Sequence, residues 1–211
     1  PSTVTTIDKD AYGGCLELDS ITIPDTITTI GIYAFGYCSN LRSVTIPDSI
    51  TIIDKGVFEY CTSLTSFNIP DGVTIIDSQA FQYCTSLKSI TIPDSVTNIG
   101  GNAFLNCSNL NCIRCEATNA PTIGPDWWTG SMDGAFGGVA PQSIFVPAGS
   151  VQSYLDAGDG STYGGLTVTD ADLIFTLNEA GTGYSVTDCN QSASGVLAIP
   201  NAYNGLPVTT V

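Results

Sequence analysis

The chain has 211 residues, a formal net charge of −15 from 20 acidic and 5 basic side chains, and no histidine. Hydrophobic residues make up 43% and charged residues 12%, a composition that suits a folded chain with a sizeable core and excludes an acidic disordered tail. Five cations cannot neutralise a phosphate backbone, no apolar run is long enough for membrane insertion, and the lack of histidine excludes Ser-His-Asp and Cys-His catalysis.

A repeat of 23 residues fills residues 1–115. Five units follow one another without an insertion, and the third and fourth read PDSITIIDKGVFEYCTSLTSFNI and PDGVTIIDSQAFQYCTSLKSITI. A fixed period of this length is typical of solenoids, because one unit cannot bury its own apolar face and stacked units share a core. Each unit carries one cysteine at the same place: Cys15, Cys38, Cys61, Cys84 and Cys107.

Every unit predicts the same elements in chain order. It opens on a proline turn, with aspartate after the proline in four of the five units, and continues into a short extended stretch such as Ile27–Ile30. It then supplies a bulky core residue behind a small one, as in Ala34–Phe35. Its last six residues alternate between apolar and polar, as in Leu41–Ile46, which predicts a strand with one buried side. We therefore expect neighbouring units to pair their strands in a parallel sheet, about 4.8 Å apart.

The residues that recur at the same position of successive units form columns, and together these columns resemble a known repeat pattern. The pattern I-P-x-x-V-x-x-I-x-x-x-A-F-x-x-C-x-x-L-x-x-I-x-I over residues 1–115 resembles the BspA-like leucine-rich repeat, the 23-residue bacterial type. The resemblance implies a right-handed solenoid with a parallel β-sheet along one side. It also implies a secreted or surface-exposed protein engaged in adhesion or protein binding, without enzyme activity, without a cofactor and without a fixed set of functional residues.

Residues 116–165 are predicted to form a degenerate sixth repeat and a cap, because an open solenoid end would expose core side chains. The repeat is interrupted by an insertion at Pro125–Gly134, and a short helix is predicted at Val151–Leu155 with Ser150 as its N-cap. Three fragments of the repeat return in this segment: Pro121–Gly124, Ala135–Phe136 and Ile144–Pro147.

Residues 166–211 are predicted to be a small β-rich unit. Its last residues, Val208–Val211, repeat the pattern of Val4–Ile7 at the start of the first array. Two interpretations follow: the chain is part of a longer tandem protein, or these strands dock on another copy in a head-to-tail assembly. The predicted strands, of which the first two form a hairpin, are Leu173–Leu177, Tyr184–Thr187 and Val196–Ile199.

The column of cysteines could form a ladder of disulfides or metal ligands, but small buried side chains with a structural role are the favoured interpretation. Zinc needs four ligands that converge on one point, whereas a column spreads them along an axis, so no metal site is expected. Cys112 and Cys115 match C-x-x-C, yet the repeat register predicts that they face opposite sides of a strand, against a redox or zinc role. A disulfide near the cap, from Cys112, Cys115 or Cys189, stays open.

Two columns of polar side chains are predicted to face outward from the strands and are candidates for binding a partner. Their alternative role is to ladder with one another at exposed strand positions. A third column, from Thr5 to Thr97 at intervals of 23 residues, belongs to another face. The binding candidates in the strand columns are Ser43, Thr45, Ser66, Asn68, Ser89 and Thr91.

Two other features admit a binding role. Trp127 and Trp128 lie in the insertion, where they either anchor a protein or sugar partner or cover the last repeat. An aspartate follows the proline at the start of four units, and such a column either holds calcium or, more simply, is a row of solvated turn residues. The aspartates are Asp25, Asp48, Asp71 and Asp94.

The sequence therefore indicates an extracellular or cell-surface repeat protein that recognises a protein partner through an extended surface, without catalysis. Two alternatives remain open. One is a structural subunit that forms head-to-tail filaments through its solenoid ends and its C-terminal strands, with itself as partner. The other is a glycan-binding module that uses the tryptophans or the hydroxyl columns.

Overall fold

The structure, a computed structural model, describes residues 3–125, 132–139, 143–147, 149–158, 160 and 162–170, and the strands 173–177, 184–189, 202–203 and 206–210. A 3-10 helix spans Met132–Phe136, and the helix α1 spans Val151–Ala157. The strands are β1 (Thr6–Ile7), β2 (Ser20–Thr22), β3 (Thr29–Ile30), β4 (Ser43–Thr45), β5 (Ile52–Ile53), β6 (Ile75–Ile76), β7 (Ser89–Ile92), β8 (Asn98–Ile99), β9 (Cys112–Cys115), β10 (Thr122–Ile123), β11 (Ser143–Val146), β12 (Thr167–Asp170), β13 (Leu173–Leu177), β14 (Tyr184–Cys189), β15 (Ala202–Tyr203) and β16 (Leu206–Thr210).

The repeats coil into a parallel-strand solenoid of about seven turns, which confirms the predicted fold. The closing strands of neighbouring units pair in parallel, β2 with β4 and β7 with β9, β11 and β12 in order, with a break at the third unit. The register matches the period of the sequence, because Ser20 pairs with Ser43 and Ser89 pairs with Cys112, each 23 residues on. Branched aliphatic side chains suit these half-buried positions, with Val44 and Ile90 turned into the core.

The short extended stretch of each unit forms a second column of parallel strands. In this column β1 pairs with β3, and β5, β6, β8 and β10 pair in order. Ile53 pairs with Ile76 and Ile76 with Ile99, and each of these side chains is buried. Two residues per unit are enough for a strand here because the neighbouring turns supply its hydrogen-bond partners.

Between the two columns the chain makes tight turns that require left-handed backbone at two places in each unit. The φ angles there lie between 55° and 70°. Such angles disfavour residues with a Cβ, and backbone N–H groups at these places donate to carbonyls of the following turn at 2.6–3.1 Å, which holds the conformation. The two sets are Asp10, Tyr33, Gly56, Gln79 and Asn102, and Gly14, Tyr37, Tyr60, Tyr83 and Asn106.

A continuous stack of aromatic rings runs through the core. Neighbouring rings lie 5.1–5.8 Å apart at their centroids with interplanar angles of 3–22°, which is offset stacking. This confirms that the Ala-Phe pairs, such as Ala34–Phe35 and Ala80–Phe81, fill the core. The stacked residues are Tyr12, Phe35, Phe58, Phe81, Phe104 and Phe136.

The sheet of closing strands is interrupted in the third unit, where residues 65–69 are not part of a strand. Phe67 stands there in the column that elsewhere holds isoleucine or valine, and its ring packs 5.0 Å from Phe58 and 4.9 Å from Phe81. The Thr65 N–H donates to the Arg42 carbonyl at 3.4 Å, and the Thr65 carbonyl accepts from Lys88 at 3.3 Å. We attribute these long bonds to the larger ring beneath the backbone.

The degenerate sixth unit keeps the register of the array. Thr122 and Ile123 pair with Asn98 and Ile99, and Phe136 stacks on Phe104. β11 then pairs with β9, and β12 pairs with β11, so the sheet continues past the insertion. The predicted repeat fragments are therefore confirmed, although their spacing in the sequence is irregular.

Two buried tyrosines hold the cap on the last turn. The Tyr154 hydroxyl donates to the Ala117 carbonyl at 2.8 Å, and the Tyr163 hydroxyl donates to the Pro121 carbonyl at 2.7 Å. α1, which carries Tyr154, confirms the predicted helix and continues it to Ala157. The predicted capping by Ser150 was wrong: its backbone is helical, with φ −91° and ψ −9°, and its side chain makes no capping bond.

The C-terminal strands form a separate four-stranded sheet in the order β13-β14-β16-β15. β13 and β14 pair antiparallel, which confirms the predicted hairpin, and β14 continues to Cys189. β16 pairs in parallel with β14 and antiparallel with β15. The predicted strand Val196–Ile199 lies outside the described residues.

Candidate functional site

The outer side of the closing strands is the surface on which the binding candidates gather. Ser43 and Thr45 leave β4 on the exposed side while Val44 points into the core, and Ser89 and Thr91 do the same around Ile90. Ser66 and Asn68 are exposed in the third unit as well, although no strand forms there. The structure therefore places all six predicted residues on one outward surface, in neighbouring turns.

We call this surface the strand face and define it by the solvent-facing positions of the second to fifth units. Over these positions the chain carries three of its five basic residues and no acidic residue. Every residue of the strand face is exposed except Arg114, which is half-buried. The strand face consists of Arg42, Ser43, Thr45, Thr65, Ser66, Asn68, Lys88, Ser89, Thr91, Asn111, Cys112 and Arg114.

The acidic charge lies elsewhere. The turns that open the units carry four exposed aspartates, Asp25, Asp48, Asp71 and Asp94. In these turns the proline carbonyl accepts a hydrogen bond from a backbone N–H three residues later; the Ile27 N–H, for example, donates to the Pro24 carbonyl. A chain with net charge −15 thus presents a cationic hydroxyl-rich face on its strands. Among the described residues, no group of three or more cysteine, aspartate or glutamate side chains is arranged to hold a metal ion.

The cysteine column is structural in four of its five members. Cys38, Cys61, Cys84 and Cys107 are fully buried, and each Sγ donates to a backbone carbonyl of the preceding turn at 3.0–3.2 Å. Burial raises the pKa of each of these thiols, that of Cys107 to about 12, so the nucleophilic thiolate is suppressed.

Cys15 was wrongly predicted to be a buried core residue. It is exposed, because it belongs to the first described turn and the described chain offers it no preceding turn with a carbonyl to bond. Cys112 is exposed and Cys115 is buried, which confirms that the C-x-x-C pair faces opposite sides of β9. All seven cysteines with described side chains are free thiols; the side chain of Cys189 is outside the description.

The threonine column on the other sheet is partly occupied by internal bonds. The Thr28 hydroxyl donates to the Thr5 carbonyl at 3.3 Å, the Thr74 hydroxyl to the Thr51 carbonyl at 3.2 Å, and the Thr97 hydroxyl to the Thr74 carbonyl at 3.3 Å. These hydroxyl groups tie successive turns together, so this column serves the solenoid itself.

An aromatic ladder on the surface was missed by the sequence analysis. Tyr37, Tyr60 and Tyr83 stack face to face, with centroids 4.9 Å and 4.4 Å apart and interplanar angles of 12° and 15°. Each tyrosine precedes the column cysteine by one residue, so the 23-residue spacing was the signal that could have revealed the ladder. We call these three residues the tyrosine ladder.

A buried carboxyl group lies beside the tyrosine ladder. Burial raises the pKa of Glu59, while a hydrogen bond from Tyr37 and the charge of Lys55 oppose that rise. Gln82 occupies the same position one turn later and is also buried.

The predicted binding residues Trp127 and Trp128 lie outside the described residues, and the structure does not test them. No helix in the described part of the chain is both long and apolar enough to cross a bilayer.

Three solved bacterial structures share this fold. A leucine-rich repeat protein from Bacteroides ovatus is 31% identical with a TM-score of 0.53, over 67% of this chain and 35% of that one. A leucine rich cell surface protein from Faecalibacterium prausnitzii is 36% identical with a TM-score of 0.53, over 63% and 34% of the two chains. The T. pallidum leucine rich repeat protein is 29% identical with a TM-score of 0.52, over 55% and 56%. The matched region is therefore only about a third to a half of each relative.

The family is shown by the repeat itself. No protein of the curated set matches the chain significantly. The sequence profile of the BspA type leucine rich repeat region matches six copies over residues 1–131, which is more than half of the chain. The chain belongs to the BspA type leucine-rich repeat family.

Proposed function

We propose that this chain is an adhesion module that acts outside the cell or at its surface and binds a protein partner through the strand face, without catalysis. The observation that carries the proposal is the exposed, regular row of hydroxyl, amide and basic side chains on a rigid core. Many modest contacts spread over several turns add up to a stable complex when the surface is held rigid.

The charge of the strand face indicates the chemistry of the partner. Arg42, Lys88 and Arg114 lie among uncharged polar residues, so an acidic segment of a partner protein is complementary to this face and to no other strand surface of the array. The surface location is supported by the family and by one relative, from Faecalibacterium prausnitzii, which is named as a cell surface protein.

The experiment is a binding screen of the full chain against immobilised extracellular-matrix proteins, acidic peptides and glycans. We compare it with the double variant Ser66→Glu/Ser89→Glu, which puts two like charges against an acidic partner. The matched control is Thr26→Glu/Ser108→Glu, which adds the same charges at exposed positions off the strand face. We expect the strand-face variant to bind about ten-fold more weakly and the control to bind like the wild type.

Three results contradict the proposal. Equal binding by both double variants removes the strand face as the contact surface. Binding to glycans alone supports the glycan-binding alternative in its place. Binding to no member of the panel counts against an adhesion role.

Head-to-tail assembly is a second candidate, favoured by exposed apolar side chains on the first described turn. Val4, Tyr12 and Leu16 are exposed there, beside a cavity of about 650 Å³ lined by core residues such as Ile7 and Ile23. An apolar solenoid end is the surface on which another turn stacks. Sedimentation velocity between 1 and 100 µM (about the range in which weak assembly shows) tests this: a persistent monomer removes the candidate, and larger species that Leu16→Glu abolishes support it.

A further inference from the structure

A notch opens on the surface at the first ring of the tyrosine ladder. It belongs to the turns between the two strand columns, and so to a different part of the repeat from the strand face. Its volume is about 460 Å³, which is room for one large side chain with water. Three of its lining residues are glycines, so its floor is bare backbone. The notch is lined by Asp10, Gly13, Gly14, Tyr33, Gly36 and Tyr37.

The notch exposes the face of an aromatic ring. Tyr37 stacks on Tyr60 with one face, and the turn on its other side carries Gly14 at the corresponding position. A Cβ atom added at Gly14 would meet no atom within 4 Å, so the space above this glycine is open. Tyr37 is accordingly 51% exposed, the largest exposure of any tyrosine for which the structure describes one.

Tyr33 forms a second aromatic wall. Its ring lies against Gly56, where a Cβ would sit 2.1 Å from the ring, so glycine is needed at this position for the ring to pack against the backbone. The Tyr33 hydroxyl donates a long hydrogen bond of 3.4 Å to the Gln79 side-chain oxygen two turns on, which adds to the packing against Gly56. The wall is therefore fixed before any ligand arrives.

The charge in the notch is negative. Asp10 is exposed at its rim, and its nearest cation is Lys9, at 3.8 Å. Both of these side chains are more than half exposed, so their pairing is weak and readily exchanged. Burial raises the pKa of Tyr33, and the nearby charges of Glu59 and Asp10 raise it further.

We propose that this notch binds an arginine side chain of a partner protein, with the guanidinium stacked on the open face of Tyr37 and paired with the Asp10 carboxylate. A planar guanidinium stacks on aromatic rings and bonds a carboxylate with two N–H groups, and unlike a sugar or an aliphatic side chain it carries a positive charge opposite to that of Asp10. The overall charge of −15 attracts a basic segment toward the notch. This second contact goes beyond the strand face and does not depend on it.

The test is an NMR titration of the ¹⁵N-labelled full chain with the peptide Gly-Ser-Arg-Ser-Gly. The same peptide with citrulline in place of arginine keeps the shape and removes the charge. We expect saturable shifts of the Gly14 and Gly36 amides with the arginine peptide and about five-fold weaker binding of the citrulline peptide. Equal binding of both peptides, absence of saturable shifts, or shifts only with a neutral disaccharide would overturn the proposal.

Matched variants locate the site. Tyr37→Asn removes the ring but keeps a residue that this column accepts at φ +59°, as Asn106 shows; the control is Tyr83→Asn at the other end of the ladder. Asp10→Asn removes the charge, and its control is the exposed Asp25→Asn. We expect both notch variants to bind the arginine peptide about five-fold more weakly and both controls to bind it unchanged.

Two further variants separate the possible outcomes. Tyr37→Phe keeps the aromatic face and should bind the peptide like the wild type, whereas a loss equal to that of Tyr37→Asn overturns the stacking role. The strand-face variant Ser66→Glu/Ser89→Glu should leave this titration unchanged. Failure of the strand-face screen with a positive titration therefore rejects only the strand face, and the reverse result rejects only the notch.

Discussion

The first turn of the solenoid and the inner turns have nearly the same sequence pattern, yet their side chains lie in different surroundings. Cys15 and Cys61 occupy the same column, but Cys15 is exposed and Cys61 is fully buried. Tyr12 and Phe58 share the aromatic stack, but Tyr12 is 38% exposed and Phe58 is not exposed at all. Within the described residues an inner turn is covered on both sides, whereas the first turn is covered on one side.

Burial in this protein is therefore a property of stacking. The Cys61 thiol donates to the Phe35 carbonyl, which belongs to the turn before it, and Phe58 stacks on rings from both neighbours. In a solenoid each turn contacts only its neighbours, so a turn with one neighbour has fewer contacts along the columns than a turn with two. The same substitution should therefore have different effects in the two regions.

The largest difference is expected in the aromatic stack. Phe81→Ala removes a fully buried ring that lies 5.5 Å from Phe58 and 5.2 Å from Phe104, and it should lower the free energy of unfolding by about 3–5 kcal/mol. Tyr12→Ala removes a ring with one stacking partner, Phe35, and should cost about 1–2 kcal/mol. Urea denaturation followed by circular dichroism measures both values. Equal losses would contradict a stack that is stabilised by neighbours on both sides.

The cysteine column should show a smaller difference. Cys84→Ser places a smaller, more polar group in a fully buried slot and should lower the free energy of unfolding by about 1–3 kcal/mol, while Cys15→Ser should change it by less than about 0.5 kcal/mol. In the native protein a maleimide should label Cys15 and Cys112 and spare Cys61, Cys84 and Cys107, as read by peptide mapping. Rapid labelling of Cys84 under native conditions would show that the inner turns open.

The smallest effect concerns Glu59, whose pKa is raised mainly by burial. Between its unfolded pKa of about 4.3 and its higher folded pKa, the folded state binds the proton more tightly, so stability falls as pH rises through this window. Glu59→Gln lacks this loss, and glutamine fits because Gln82 is buried at the same position. The stability of the variant relative to the wild type should therefore increase from pH 4 to pH 7, as measured by thermal unfolding. A difference that is constant with pH would contradict the buried carboxyl.

Much of the fold could be predicted because the period fixes which residues are neighbours. Residues 23 positions apart pair in the sheet, so the inward direction of Val44 and the outward direction of Ser43 followed from alternation alone. The interruption at Phe67 could not be predicted, since isoleucine and phenylalanine are equally apolar in a pattern. Only packing against Phe58 and Phe81 reveals the larger ring.

The candidate site was predicted in part. The exposed hydroxyl columns were identified correctly, but the grouping of three of the five basic residues on the strand face was not predicted, and the tyrosine ladder was missed. Tyr37 and Tyr60 precede the cysteines at an interval of 23 residues, yet a tyrosine at such a place is equally consistent with a core residue. Its exposure depends on the left-handed turn that directs the ring outward, which a periodic pattern does not specify.

The sequence by itself determined the repeat, its register and the chemistry of each column, because β-pairing between identical units turns a period into a list of neighbours. The tertiary structure decided which columns face solvent and which charges meet. Coiling brings Arg42, Lys88 and Arg114 onto one face although 46 and 26 positions separate them in the chain. It also leaves Gly14 beside Tyr37, so that one ring of the ladder keeps an open face. Residues that are far apart in the sequence become neighbours on adjacent turns, and only the coiled structure defines which of them meet.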